Sequence, residues 1–161
     1  MPELTRLKKY QTMLHINTSS TETPSYARIG KSTVFDLVMN AQTEENDFID
    51  SEQITTDIMS YKPEIAEELQ CNKGDTAFDY LYEMFKSRPT GEAVKKNVLL
   101  TFAGNKGTEN EPAFDAWDTE STITLDHFDS VAEKIYFNIS INKITRGTVT
   151  VNDGVPSFSE N

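Results

Sequence analysis

From Lys134 to Ile144 the chain reads K-I-Y-F-N-I-S-I-N-K-I. Ile135, Phe137, Ile139 and Ile141 fall on one side of an extended backbone, and Asn138, Ser140 and Asn142 on the other. That period of two is the signature of a half-buried antiparallel strand; a helix would scatter the same residues around its axis. Arg146-Gly147 reads as a tight turn, after which Thr148 to Val151 repeats the alternation through Val149 and Val151 and runs into Asn152-Asp153-Gly154-Val155-Pro156. The expectation is strand, turn, strand. A polar face of Asn, Ser and Thr offers hydrogen bonds and packing surface rather than catalytic groups, as a building block would.

The 161 residues fit one domain with a substantial core. Fifteen basic against 26 acidic side chains give a net charge of −11, which argues against adhesion to nucleic acid or to anionic membrane, since both need cationic surface. Two readings of that charge stand side by side. The plain one is solubility; the sharper one is a protein that sits near a polyanion without binding it. Cys71 is the only cysteine, so no disulfide forms within the chain and a reducing compartment is expected. A reactive thiol would need a neighbouring His or a helix start, and the sequence around Cys71 shows neither. The stretch from Met1 to Lys9 lacks the apolar core of a secretory signal, and no run reaches the length of a membrane span. Synthesis in the cytosol without a membrane anchor is expected, which makes the sequons at Asn17 and Asn138 chance matches.

Along the chain, Thr12 to Ile16, Tyr26 to Ile29, Thr33 to Met39, Ile54 to Tyr61, Val94 to Phe102 and Glu120 to His127 read as strands. Phe35, Leu37 and Met39 share one face of the third, with Val34 and Val38 on the other, so both sides of that strand require cover. One helix is expected from Asp75-Thr76, which caps it, to Lys86 or Ser87, before Arg88-Pro89-Thr90-Gly91 ends it. Ala77, Phe78, Leu81, Tyr82 and Phe85 form its apolar stripe, and Glu83 with Lys86 an exposed pair. Polar loops are expected at residues 17–25, 40–53 and 104–112, and an irregular segment around Phe114 and Trp117. About eight mostly antiparallel strands with one helix define an α+β, mainly β, domain spanning 1–161: an antiparallel β-sandwich or small barrel with one flanking α-helix and an extended N-terminal arm.

The chemistry-bearing residues form no recognisable constellation. His15 and His127 lie far apart in strand-like segments, without the partners of a zinc site. The acidic run Glu44, Glu45, Asp47, Asp50, Glu52 lacks the alternating oxygen ligands, glycine and closing Glu of a calcium loop. Gly30-Lys31-Ser32 lacks the upstream glycine of a phosphate-binding loop, and no nucleophile elbow or H-E-x-x-H appears. In so acidic a chain, carboxylates adjacent in sequence identify no acid–base pair. No catalytic, cofactor-binding or metal-ligating residue is assigned, and the chain is read as non-enzymatic.

Taken in order, Tyr26-Ala27-Arg28-Ile29-Gly30 leading into Thr33 to Met39, the acidic connection with Phe48-Ile49-Asp50, the helix from Asp75 to Phe85, and Gly147-Thr148-Val149-Thr150-Val151 with Asp153-Gly154-Val155-Pro156 resemble the major tail proteins, or tail-tube proteins, of long-tailed phages infecting Gram-positive bacteria. The resemblance covers nearly the whole chain. It implies a virion subunit, made in the host cytoplasm, that assembles into hexameric rings stacked as a hollow tube. The implied partners are further copies of itself, a tape-measure protein in the lumen, and tail-initiator, baseplate and tail-terminator proteins. DNA would transit the tube without specific binding, and the negative charge fits a lumen that repels phosphate. The three polar loops are where contacts between rings are expected.

Two other classes make different demands. A β-sandwich binding module, of a baseplate or for carbohydrate, would be a monomer or small closed oligomer displaying an aromatic platform, for which Trp117, Phe114 and Tyr136 are the candidates. A small hydrolase would lose turnover on the change of one carboxylate. A tube protein polymerises with concentration and depends on loops and edge strands instead.

Overall fold

Ten strands, one α-helix and one 3₁₀ turn are seen in the computed structural model, which describes residues 6, 12–19, 22–30, 35–106, 113–152 and 155–160. The strands are β1 (Thr12–Asn17), β2 (Tyr26–Arg28), β3 (Phe35–Val38), β4 (Gln42–Asn46), β5 (Thr55–Ser60), β6 (Glu64–Gln70), β7 (Lys95–Lys106), β8 (Ala113–Asp129), β9 (Lys134–Asn152) and β10 (Val155–Glu160); α1 spans Thr76–Ser87. Eight strands form one antiparallel sheet in the order β2-β1-β7-β8-β9-β6-β3, with β10 also on β9, while β4 and β5 make a separate two-stranded ribbon. The expected mainly β, antiparallel α+β class is the observed one.

The alternation in β9 does what the sequence requires: Ile135, Phe137, Ile139 and Ile141 are all buried in the main core. The expected turn at Arg146-Gly147 is absent, because β9 is one strand of 19 residues running along β8. What interrupts the pattern is a bulge. Ser121 faces Ile141 but Glu120 faces Lys143, which leaves Asn142 as the extra residue. A single extra residue inverts every later side chain. Ile144 therefore still packs on the main core, whereas Val149 and Val151 join Leu99, Ala116, Tyr26 and Phe158 in a second cluster on the opposite face.

Helix α1 closes the main face. Asp75 accepts a hydrogen bond from the Ala77 N–H (3.3 Å), and the helix ends at Arg88, which is left-handed (φ 53°) and donates its N–H to the Met84 carbonyl. Ala77, Phe78, Leu81 and Met84 are buried, and Tyr82 and Phe85 lie beside Phe128 of β8 at ring distances of 5.6 and 6.2 Å. Met84 completes a stripe that the aromatic pattern alone leaves short. Glu83 and Lys86 pair at 3.1 Å on the exposed side. Replacing the cap, Asp75→Ala, is expected to lower stability by about 1 kcal/mol in urea titration, since one orphan N–H loses its acceptor.

Three regions depart from expectation. β6 is a strand in a stretch to which the sequence reading assigns no element, and Glu67 and Glu68 stand side by side in its buried middle; Lys134 of β9 meets Glu68 at 3.1 Å. Phe114 and Trp117 belong to the regular strand β8 rather than an irregular segment. The acidic connection 40–53 is half of the β4–β5 ribbon, not a loop. Within 17–25 the Asn17 side chain accepts from the N–H groups of Ser19 and Ser25, both at 3.0 Å, so a local turn ties β1 to β2. The N-terminal arm (apart from Arg6), Thr33 and Val34, residues 107–112 of the 104–112 loop, and Asp153-Gly154 lie outside the described residues.

The second face holds an unusual set of polar groups. His15 on β1, Thr101 on β7 and Asp118 on β8 each bury a side-chain atom that lacks a hydrogen-bond partner among the described residues. Burial first, and the Arg28 charge second, lower the His15 pKa from 6.5 to about 4. Burial raises that of Asp118 and lifts Tyr26 to about 12. A base whose folded pKa is depressed binds fewer protons folded than unfolded, so its penalty is absent above pH 6.5 and grows as pH falls toward 4. The His15 contribution amounts to at most about 3 kcal/mol, and Asp118 works in the opposite sense. Urea titrations at pH 7 and 5 are expected to show a smaller loss of stability for His15→Leu than for the unsubstituted protein.

Candidate assembly interface

The ribbon starts and ends at one tether. Asn40 takes a left-handed conformation (φ 46°) that Asn tolerates better than most residues. Its amide donates to the Lys62 carbonyl at 3.1 Å, and the Lys62 N–H donates to the Met39 carbonyl at 3.0 Å. From there Gln42 to Asn46 pairs with Thr55 to Ser60, with a bulge next to Gln42. Asn46 donates to Asp57 across the ribbon, and the Ser51 N–H donates to the Phe48 carbonyl at the tip. The polar sequence Q-T-E-E-N has little strand preference of its own; pairing with T-T-D-I-M-S makes it one.

Every residue from 40 to 62 except Asn46 is exposed. A lone two-stranded hairpin is marginal in water, and this one also exposes large apolar side chains. Among the described residues ten large hydrophobics are exposed, and eight of them lie between Val38 and Tyr61: Val38, Met39, Phe48, Ile49, Ile54, Ile58, Met59 and Tyr61. Ile49 at the tip is fully exposed (108%). The same stretch holds six carboxylates (Glu44, Glu45, Asp47, Asp50, Glu52 and Asp57) and no Lys or Arg. Exposed apolar residues concentrated on one acidic ribbon are the kind of patch that marks contact sites in proteins generally.

The other candidate residues do not converge. Trp117 sits on the main-core side with its ring edge-on to Phe102 at 5.1 Å. Tyr136 stacks on His127 at 4.2 Å, whereas Phe114 faces Val149 at the far end of the β8–β9 pair. Those two are roughly 40 Å apart along an extended strand, so the three aromatics make no common platform. His15 is buried and His127 exposed, the latter bonded to Asp126 at 2.8 Å. Burial, with Glu133 adding, raises the Cys71 pKa and disfavours its thiolate. Among the described residues no three His, Cys, Asp or Glu side chains gather around a metal position, and no helix is long and apolar enough to cross a membrane. Among the described residues, two open grooves bear on this question. One of about 440 Å³ is lined mainly by Glu92, Lys95, Lys96, Asn97, Glu120 and Thr122; the other, of about 300 Å³, lies at the tether of the ribbon, between Met39, Tyr61 and Pro63 on one side and Ile141 to Ile144 on the other.

The chain shares the fold of the sheath/tube terminator of the extracellular contractile injection system PVC in its extended state: TM-score 0.53 at 12% identity, over 89% of this chain and 97% of that one. A chain from the sheath-tube complex of the same system gives 0.48 at 10% identity, over 88% and 90% respectively. No family model matches the chain, and a search of curated proteins finds no match. The similarity in fold is thus to a component of a contractile system, where the sequence resemblance points to major tail proteins of phages infecting Gram-positive bacteria.

Proposed function

We propose that this chain is a non-enzymatic structural subunit of a tail tube, or of the ring that ends one, and that it works by self-association through the β4–β5 arm. The observation that carries this reading is the concentration of exposed apolar side chains on an arm that nothing among the described residues covers. The single domain 1–161 would supply the ring wall and the arm the contact to the next copy. Six copies per ring, stacking of rings, a tape-measure protein inside and initiator or terminator proteins at the ends are carried over from the resemblance to tail-tube proteins, as is a location in the virion tail. Part of the −11 charge would line the lumen, where it keeps passing DNA from sticking by repelling phosphate. Sedimentation velocity over a concentration series tests the core of this: the expected result is a concentration-dependent shift from monomer to a discrete large species, and an unchanging monomer would overturn it.

A further inference from the structure

A docking site for the arm needs free backbone, an apolar recess and positive charge, and among the described residues one stretch of β9 brings all three together. Strand β9 has two edges. Along one it pairs with β8 from residue 134 to 150 apart from the Asn142 bulge; along the other, β6 covers residues 134–140 and β10 covers 147–152. The last bond on the β6 side is from the Ile141 N–H to the Pro63 carbonyl, 2.9 Å. Residues 142–146 therefore have no strand beside them on that edge among the described residues. Five residues leave about 17 Å of open edge, and β4 and β5 are five and six residues long.

The groove of about 300 Å³ opens at this gap, walled by Met39, Tyr61, Pro63, Ile141 and Ile144. Its size and character suit one or two large apolar side chains, which is what Phe48, Ile49 and Ile54 present at the ribbon's tip. The charges complement each other as well. The segment from 141 to 146 carries Lys143 and Arg146, both exposed, and no acidic residue, whereas the arm carries six carboxylates and no cation. Neither cation takes part in an ion pair among the described residues.

We propose that the interrupted edge of β9, residues 142–146, with the apolar groove beside it, is the receptor for the β4–β5 arm of a second copy of this chain. The occupant comes from another copy because Met39 and Tyr61, at the arm's own base, form one wall of the groove, and the tip lies roughly 30 Å further along an extended ribbon. An arm strand completes the sheet between β6 and β10 by edge addition. The tip fills the groove, and Lys143 and Arg146 meet the carboxylates. One arm and one receptor per copy make a head-to-tail contact, which closes into a ring or propagates as a helix. It also removes an open strand edge that would otherwise invite aggregation.

This inference rests on self-association, and one experiment separates the two. The full chain with Ile49→p-benzoylphenylalanine is irradiated at an assembling concentration and the cross-linked peptides are mapped by mass spectrometry. The expected product joins position 49 to a peptide containing residues 141–146 of another copy. Cross-links to any other surface of a second copy would overturn the receptor while leaving self-association standing; no intermolecular product together with monomer at every concentration would overturn both. In parallel, Lys143→Glu with Arg146→Glu is expected to raise the concentration for half-assembly about tenfold or more, with an unchanged circular dichroism spectrum and thermal midpoint. Assembly unaffected by that double change would overturn the charge complementarity on which the receptor depends.

Discussion

Gly147→Val is expected to be among the most destabilising single substitutions in the chain, lowering the free energy of unfolding by about 3 kcal/mol or more. Gly147 is a buried residue of β9 where β10 passes so closely that a Cβ would run into the Ser159 backbone carbonyl and approach the Phe158 ring at 2.6 Å. A ring can rotate away; a carbonyl moves only if β10 moves with it. Gly147→Ala, which adds one methyl group, is expected to cost about 1–3 kcal/mol, toward the upper end because backbone must yield. Gly74 and Gly91 provide the contrast. Both have left-handed φ (98° and 64°), and a Cβ at either meets nothing within 4 Å. Alanine there brings conformational strain without a clash, expected at about 1 kcal/mol. Urea titration of the three alanine variants separates the two mechanisms: Gly147→Ala within 0.5 kcal/mol of the parent, roughly the scatter of neutral surface changes, would show that β10 does not lie across β9 as described.

The second large effect is on assembly rather than folding. Phe48→Ser, Ile49→Ser and Ile54→Ser together are expected to abolish self-association while leaving monomer stability nearly unchanged. All three side chains are more than half exposed in the subunit (53, 108 and 61%), so folding gains little from them. Burial of each at a contact is worth about 1.5–3 kcal/mol, and loss of even one such contribution weakens association about tenfold or more. Light scattering reads the first quantity and thermal unfolding the second. If the triple variant unfolds at a much lower temperature, the tip belongs to the subunit's own core; if it assembles normally, the arm is not the contact.

Local chemistry was legible in the sequence wherever one segment sufficed to decide the outcome. Asp75, the stripe from Ala77 to Phe85 and the stop at Arg88-Pro89 define α1 without reference to anything else, and the structure places the helix there. The alternation from Ile135 to Ile141 was equally self-contained. Features that depend on a partner strand were not legible. Gly147 looks like a turn residue, and only the presence of β10 above it shows that its missing side chain provides space. The consecutive carboxylates Glu67 and Glu68 argue against a buried strand until Lys134 is placed beside Glu68. The Asn142 bulge, which turns Val149 and Val151 to the opposite face, exists only in the register between β8 and β9.

The candidate interface divides the same way. Composition located the acid-rich stretch and the Phe48-Ile49 pair within it, but pairing between β4 and β5 is what converts a presumed loop into a projecting arm. The gap on β9 is a further step removed, since it arises from where two other strands stop. Trp117, Phe114 and Tyr136 show the reverse case: three aromatics that stand out in the sequence and that the sheet keeps apart.

The most direct test of the account is negative-stain electron microscopy of the purified chain from the lowest to the highest attainable concentration. Closed rings or hollow tubes that appear as concentration rises, and disappear in the Phe48/Ile49/Ile54 triple variant, are the predicted result. Single subunits at every concentration would contradict a subunit built to assemble through its β4–β5 arm.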